Sequence, residues 1–168
     1  MSDMTKDDQI KLIEKIIQDV KFAMMTTITH DEKHLHACPM TTNKNELAQA
    51  KIWFIGDKTT ETVKDLQKNP QVNLSYVSTD QKDYVSINGV AKLIDDKEKL
   101  DELWSPIYAA FYEHGKEDPN VQIICVECNG AQYWQSGNSI ANMFKLASAA
   151  LQDGKIADSM GNNGSVTF

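Results

Sequence analysis

Residues 52–76 read IWFIGDKTTETVKDLQKNPQVNLSY, and the order of signals in them decides the fold. Ile52 to Gly56 are apolar and aromatic, the composition of a buried strand. The segment TTETVKDLQKN then reads as a short helix that stops at Pro70, since proline cannot continue a helix and disfavours helical backbone before it. From Val72 the run VNLSYVST returns to strand. A strand that delivers its chain to an exposed helix N-terminus, with Lys58, Thr59, Thr60 and Thr62 around the junction, suits a phosphate group. The plainer alternative is a surface helix capped by Thr59 or Thr60 beside a solvated Lys58.

Working outward, residues 5–20 place Ile10, Ile13, Ile16, Ile17 and Val20 at helical spacing behind a cap at Thr5, with acids in the first turn. KFAMMTTIT from Lys21 and LHACPMTT from Leu35 flank the polar DEKH turn, so they read as a strand pair. VNLSYVST and YVSINGVAKLI form another pair around DQKD, with Gly89 marking a bulge or close packing. Residues 95–114 suggest a helix interrupted near Pro106, VQIICVEC a further buried strand, and 138–152 a small-residue helix before a Gly/Asn-rich tail ending at 168. Six strands arriving mostly in adjacent pairs, with helices between them, predict a six-stranded antiparallel β-barrel with flanking helices, mainly β within the α+β class, rather than an alternating βαβ sheet. The whole of 1–168 is expected to form one domain.

Composition narrows the chemistry. A formal charge of −7 argues against nucleic acid or an anionic membrane surface as partner, and no stretch approaches the length of a membrane span. Three cysteines are too few for a disulfide framework and the N-terminus has no apolar run, so a cytoplasmic location is expected. All 17 basic residues are lysines. Without arginine forks, an anionic ligand must rely on lysine charges, hydroxyls and backbone N–H groups.

The motifs HACPMTTNKN, IWFIGDKTTETVKDLQKNPQVNLSY, YVSINGVAKL and QYWQSGN, in this order, resemble the FMN-binding split-barrel superfamily that includes pyridoxamine 5′-phosphate oxidase, and within it the general stress protein 26 branch. The resemblance covers nearly all of residues 8–167 and implies a homodimer with two flavins, FMN or FAD, at the subunit interface. The family's Arg-Pro-Met strand beside the flavin falls on Cys38, Pro39, Met40 and Thr41, without the arginine. Its next flavin-contacting strand falls on Phe54, Ile55 and Gly56. Its phosphate-binding serine and following basic residues fall on Thr60, Glu61 and Thr62. Tyr84 and Trp134 correspond to two further flavin neighbours, the tryptophan reaching across from the other subunit. The Arg and His with which the oxidases hold and work on their substrate correspond to Ile140 and Asn142, so true pyridoxine phosphate oxidase activity is not expected.

His34 and His36 share a strand face with His30 across the turn, but no carboxylate or cysteine completes a metal set, and no metal is expected. Cys125 and Cys128 lie on opposite faces of one strand and read as packing. Trp104, Tyr108, Phe111 and Tyr112 read as core or dimer contacts, and only one of Trp53 and Phe54 can face the barrel interior.

The expected function is a flavin-dependent oxidoreductase acting on a small-molecule redox partner, with no particular residue marked as catalytic. A non-catalytic flavin-binding or sequestering stress protein is the alternative, and a haem-handling barrel using His30, His34 or His36 a third. Lys58, with Lys44 or Lys64, would replace the missing arginines, so the protein is expected often to purify without flavin.

Overall fold

The computed structural model describes residues 4–136 and 162–168. Helix α1 (Lys6–Val20) leads into strands β1 (Phe22–Ile28), β2 (Leu35–Glu46) and β3 (Lys51–Asp57). Helix α2 (Glu61–Lys68) precedes β4 (Gln71–Ser78) and β5 (Asp83–Ile94). A third helix, α3 (Lys97–Leu103), and two 3-10 turns precede the long β6 (Val121–Gln135) and a final β7 (Asn162–Thr167). The segment expected as a helix at 138–152, together with Ile140 and Asn142, lies outside the described residues.

All strand pairings are antiparallel and run β3-β2-β1-β4-β5-β6-β7, with β3 also pairing to β6. That last pairing closes the first six strands into a barrel, as the paired strand signals predict. Strand β6 serves two partners along one edge: Val121–Glu127 pair with β3, and Gly130–Gln135 pair with β7. The seventh strand departs from the tail expected at the C-terminus. Asn and Gly are poor strand formers, but half of β6 would otherwise present an open edge that backbone groups can pair with.

Local chemistry explains the helix limits. Thr5 caps α1 by accepting from the Asp8 amide at 3.2 Å, and Ile13, Ile16 and Ile17 bury the inner face. Ring closure gathers Met25, Phe54, Leu74, Tyr76, Ile87 and Ile124 in the barrel core. A second cluster forms outside β3 and β6, where Trp53, Ile55, Ile123 and Cys125 meet Leu103 and Tyr112. Phe54 therefore faces in and Trp53 faces the second layer, and Cys128 and Cys125 divide between the two cores in the same way. Burial pushes the Cys128 thiol up to about 12. Tyr108 and Trp104 pack on the second cluster, whereas Phe111 is 74 % exposed.

Two irregularities shape the sheet. Asn129 is the extra residue where the β5–β6 register shifts at Gly89, and a Cβ on Gly89 would stand 2.5 Å from the Glu127 carbonyl oxygen. Asn43 is extra between β2 and β3, which turns its side chain to accept from the Ile55 amide at 2.9 Å and donate to the Tyr108 hydroxyl at 2.7 Å.

Candidate functional site

The junction from β3 to α2 is built around Asp57. The Thr59 hydroxyl donates to its carboxylate at 2.5 Å, and the Thr60 hydroxyl donates to its carbonyl at 2.7 Å. Thr60 also accepts from the Val63 amide at 3.4 Å, so it is the N-cap of α2. Two residues on, the buried Thr62 hydroxyl meets the Cys38 thiol of β2 at 3.0 Å.

These elements enclose a cavity of about 560 Å³, within the range of small-molecule sites. Cys38, Pro39 and Met40 line one side, and Thr60, Thr62 and Val63 the other. Gly56 and Ile124 complete its depth: a Cβ on Gly56 would stand 3.0 Å from Ile124 Cδ1 and 3.6 Å from Met40 Cε. Any side chain there would intrude on the cavity. The volume and the glycine floor leave room for one end of a flavin beside the first-turn amides of α2, with the Thr60 hydroxyl already donating to the Asp57 carbonyl and Thr62 paired with the Cys38 thiol.

Of the site residues expected from sequence, Cys38, Pro39, Met40, Gly56, Thr60 and Thr62 line this cavity together. The others lie elsewhere. Phe54 is sealed in the barrel, Ile55 belongs to the second cluster, and Thr41 points outward on β2. Tyr84 and Trp134 stand opposite each other across β5 and β6, 43 % and 44 % exposed. Val77 is the β4 partner of Tyr84, and the register that pairs Met24 with Ser75 runs on toward Phe22 and Val77. Phe22, Val77, Tyr84 and Trp134 thus form an exposed apolar row across four strands.

Lys58, Lys64 and Lys44 each pair with a carboxylate and do not line the cavity. Lys58 reaches Asp95 at 3.5 Å and lines a separate groove of about 350 Å³. Lys64 is held by Glu61 at 2.8 Å, and Lys44 by Glu46 and Glu102. Lys44, then Lys99, hold the Glu102 carboxyl down at about 2. No lysine is among the described residues that line the cavity, whereas Asp57 and Glu61 both are.

Sequence reasoning missed the group that faces this charge balance. Asp65 of α2, 1 % exposed, accepts from the Thr27 hydroxyl at 2.8 Å and the His30 amide at 2.8 Å. Its other oxygen contact is His36 Nδ1 at 3.2 Å, and His30 Nδ1 lies 3.4 Å away. Burial opposes its charge, but the Thr27, His30 and His36 bonds prevail and hold the carboxyl below its usual 3.8. The histidines therefore do have a carboxylate, supplied by a helix distant in sequence. Among the described residues, no group of three His, Cys, Asp or Glu side chains has a metal-binding arrangement. The signal for His36 was its spacing: two residues before Cys38, it shares that strand face and lines the cavity.

A closed antiparallel barrel of six strands, with a cavity at its β3–α2 junction, defines a split-barrel protein. The chain belongs to the pyridoxamine 5′-phosphate oxidase like family, whose model matches residues 8–158. It is similar to Protein bli-3 of Neurospora crassa, 24 % identical over 152 residues that span 86 % of this chain and 72 % of the relative. The general stress FMN/FAD binding protein of Xanthomonas citri matches with 28 % identity and a TM-score of 0.68, over 80 % of this chain and 92 % of that one. A protein related to general stress protein 26, from Clostridium acetobutylicum, shares the fold at 18 % identity and a TM-score of 0.68, over 79 % of this chain and 91 % of that one. No helix among the described residues is long and apolar enough to cross a membrane.

Proposed function

We propose that this protein binds a flavin, FMN or FAD, in the cavity between β2, β3 and α2, and that it works as a homodimeric flavin-dependent oxidoreductase toward a small-molecule redox partner. The observation that carries the reading is the gathering of Cys38, Met40, Gly56, Thr60 and Thr62 around one cavity of about 560 Å³. The 28 % identical Xanthomonas citri relative, described as an FMN/FAD binding protein, supports the same ligand. When bound, the isoalloxazine would supply the hydride and electron chemistry.

The chain's own residues would bind and orient. First-turn amides of α2 would offer donors to the anionic end, beside Thr60 and Thr62, whose hydroxyls would exchange their bonds to Asp57 and Cys38 for the phosphate. Gly56 and Met40 shape the apolar floor. The row Phe22, Val77, Tyr84 and Trp134 would be covered by a second copy, which brings Trp134 toward the partner's cofactor and removes an exposed apolar strip from water.

A second reading, flavin storage without turnover, is favoured by one observation: the nearby lysines are committed to Asp95, Glu61, Glu46 and Glu102. An absorption spectrum with added FMN, followed by anaerobic mixing with NADH, separates the two. Flavin bands that bleach at catalytic rates support the oxidoreductase, stable bands support storage, and absence of flavin binding refutes both. A Soret band would instead indicate haem.

A further inference from the structure

We propose that His36, held by the buried Asp65, is the cationic ligand for the phosphate of the bound flavin, and that it makes cofactor affinity rise as the solution becomes more acidic. This rests on the flavin reading above. Among the described residues lining the cavity, His36 is the one side chain able to carry positive charge. The Lys58, Lys64 and Lys44 ammonium groups each have a carboxylate partner.

The orientation of His36 follows from Asp65. The carboxylate can only accept, so the ring Nδ1 at 3.2 Å must carry the proton. That bond leaves Nε2 as the ring nitrogen not engaged by Asp65. Neutral His36 would present an acceptor lone pair there, which opposes a phosphate oxygen, and protonated His36 would present a charged donor. The groups facing it are accounted for. Asp65 bonds it from α2, Glu61 of the same helix lines the cavity and pairs with His30 on the turn after β1, Asp57 stands at the end of β3, and Cys38 shares its strand face. Asp57 and Glu61 make the cavity negative while His36 is neutral, and protonation of His36 offsets one of those two charges at the point where the anion would sit. Asp65, with oxygens fixed by Thr27 and His30, is a positioning residue.

The test is FMN binding by fluorescence quenching between pH 6.5 and 8.5, with riboflavin, which lacks the phosphate, titrated in parallel. Wild type should bind FMN about five- to tenfold tighter at the acidic end, the scale of one charge-assisted contact in a part-exposed site. Riboflavin affinity should stay flat. His36→Gln should lose the pH slope, which also controls for titration of the ligand phosphate itself. His36→Arg should bind tightly at both ends, and His30→Gln should keep the wild-type slope. FMN binding that is flat in wild type, or a slope that survives in His36→Gln, overturns this proposal and leaves the flavin reading standing. Failure of wild type to bind either flavin at any pH overturns both.

Discussion

The Cys38 thiol and the Thr62 hydroxyl meet at 3.0 Å, joining β2 to the first turn of α2 at a point where the family pattern places an arginine and a basic residue. The two neutral groups satisfy one another and leave the cavity, among the described residues, without a permanently charged cation.

Cys38→Arg should therefore tighten FMN binding by about one to two powers of ten, the size of one added charge-assisted contact, and should steepen the dependence on salt. Thr62→Arg is the poorer variant, since Thr62 is buried and the longer side chain would strain the helix–strand contact. Fluorescence titration at several salt concentrations checks this. Nanomolar affinity of the wild-type protein, or no gain in Cys38→Arg, would show that the phosphate lies elsewhere.

The exposed row should make the protein a dimer at micromolar concentration. Interfaces of this kind usually bury roughly 2,000 Å² or more. Val77→Lys combined with Trp134→Glu should shift sedimentation from dimer to monomer while leaving the barrel folded by circular dichroism. A monomeric wild type would count against the interface.

Asp65 should make stability fall in acid. Its folded carboxyl titrates below the usual 3.8, so its contribution is complete above that value and disappears as pH drops through the lower folded value. Asp65→Ala strands the His30 amide and leaves the Thr27 hydroxyl only its long 3.4 Å bond to the His36 carbonyl, and should cost about 2 to 4 kcal/mol near neutrality. Urea denaturation across pH measures both. The wild type should lose part of its advantage over the variant as pH drops below about 4; an unchanged gap would refute the assignment.

Gly89→Ala should destabilise the barrel by about 1 to 3 kcal/mol, because the new methyl meets the Glu127 carbonyl oxygen at 2.5 Å and backbone must move. Thermal melting of the pair of proteins reads it directly. The same pure protein should not convert pyridoxamine phosphate to the aldehyde, and robust turnover would refute the reading of Ile140 and Asn142.

Much of the barrel was legible because period-two patterns report which face is buried: Phe54 against Trp53, Cys128 against Cys125. Gly89 announced its bulge, and Pro70 the end of α2. The interruption near Pro106 was also legible, with α3 ending at Leu103 and a 3-10 turn following from Pro106. What escaped was set by tertiary pairing. β7 exists because β6 offers it an edge, which no local signal in NNGSVT announces. Lysine partners escaped for a similar reason, since a flexible stem takes whichever carboxylate the fold brings near; Lys58 found Asp95 rather than the cavity. Asp65 looked like one more acid on a polar helix until β1 and β2 covered it.

The closure of β3 on β6 also has a temporal meaning. Asp57 finishes β3 long before Val121, its partner, leaves the ribosome, and until then that strand waits with one ladder unmade. Every intervening element must form or be held loosely in the meantime, and loop-closure entropy must be overcome before the pairing returns any stabilisation. Acquisition of the native barrel is accordingly expected on the slow, millisecond-to-second scale of proteins dominated by distant strand contacts, and the nascent chain carries its greatest risk of pairing with a neighbour just before β6 emerges.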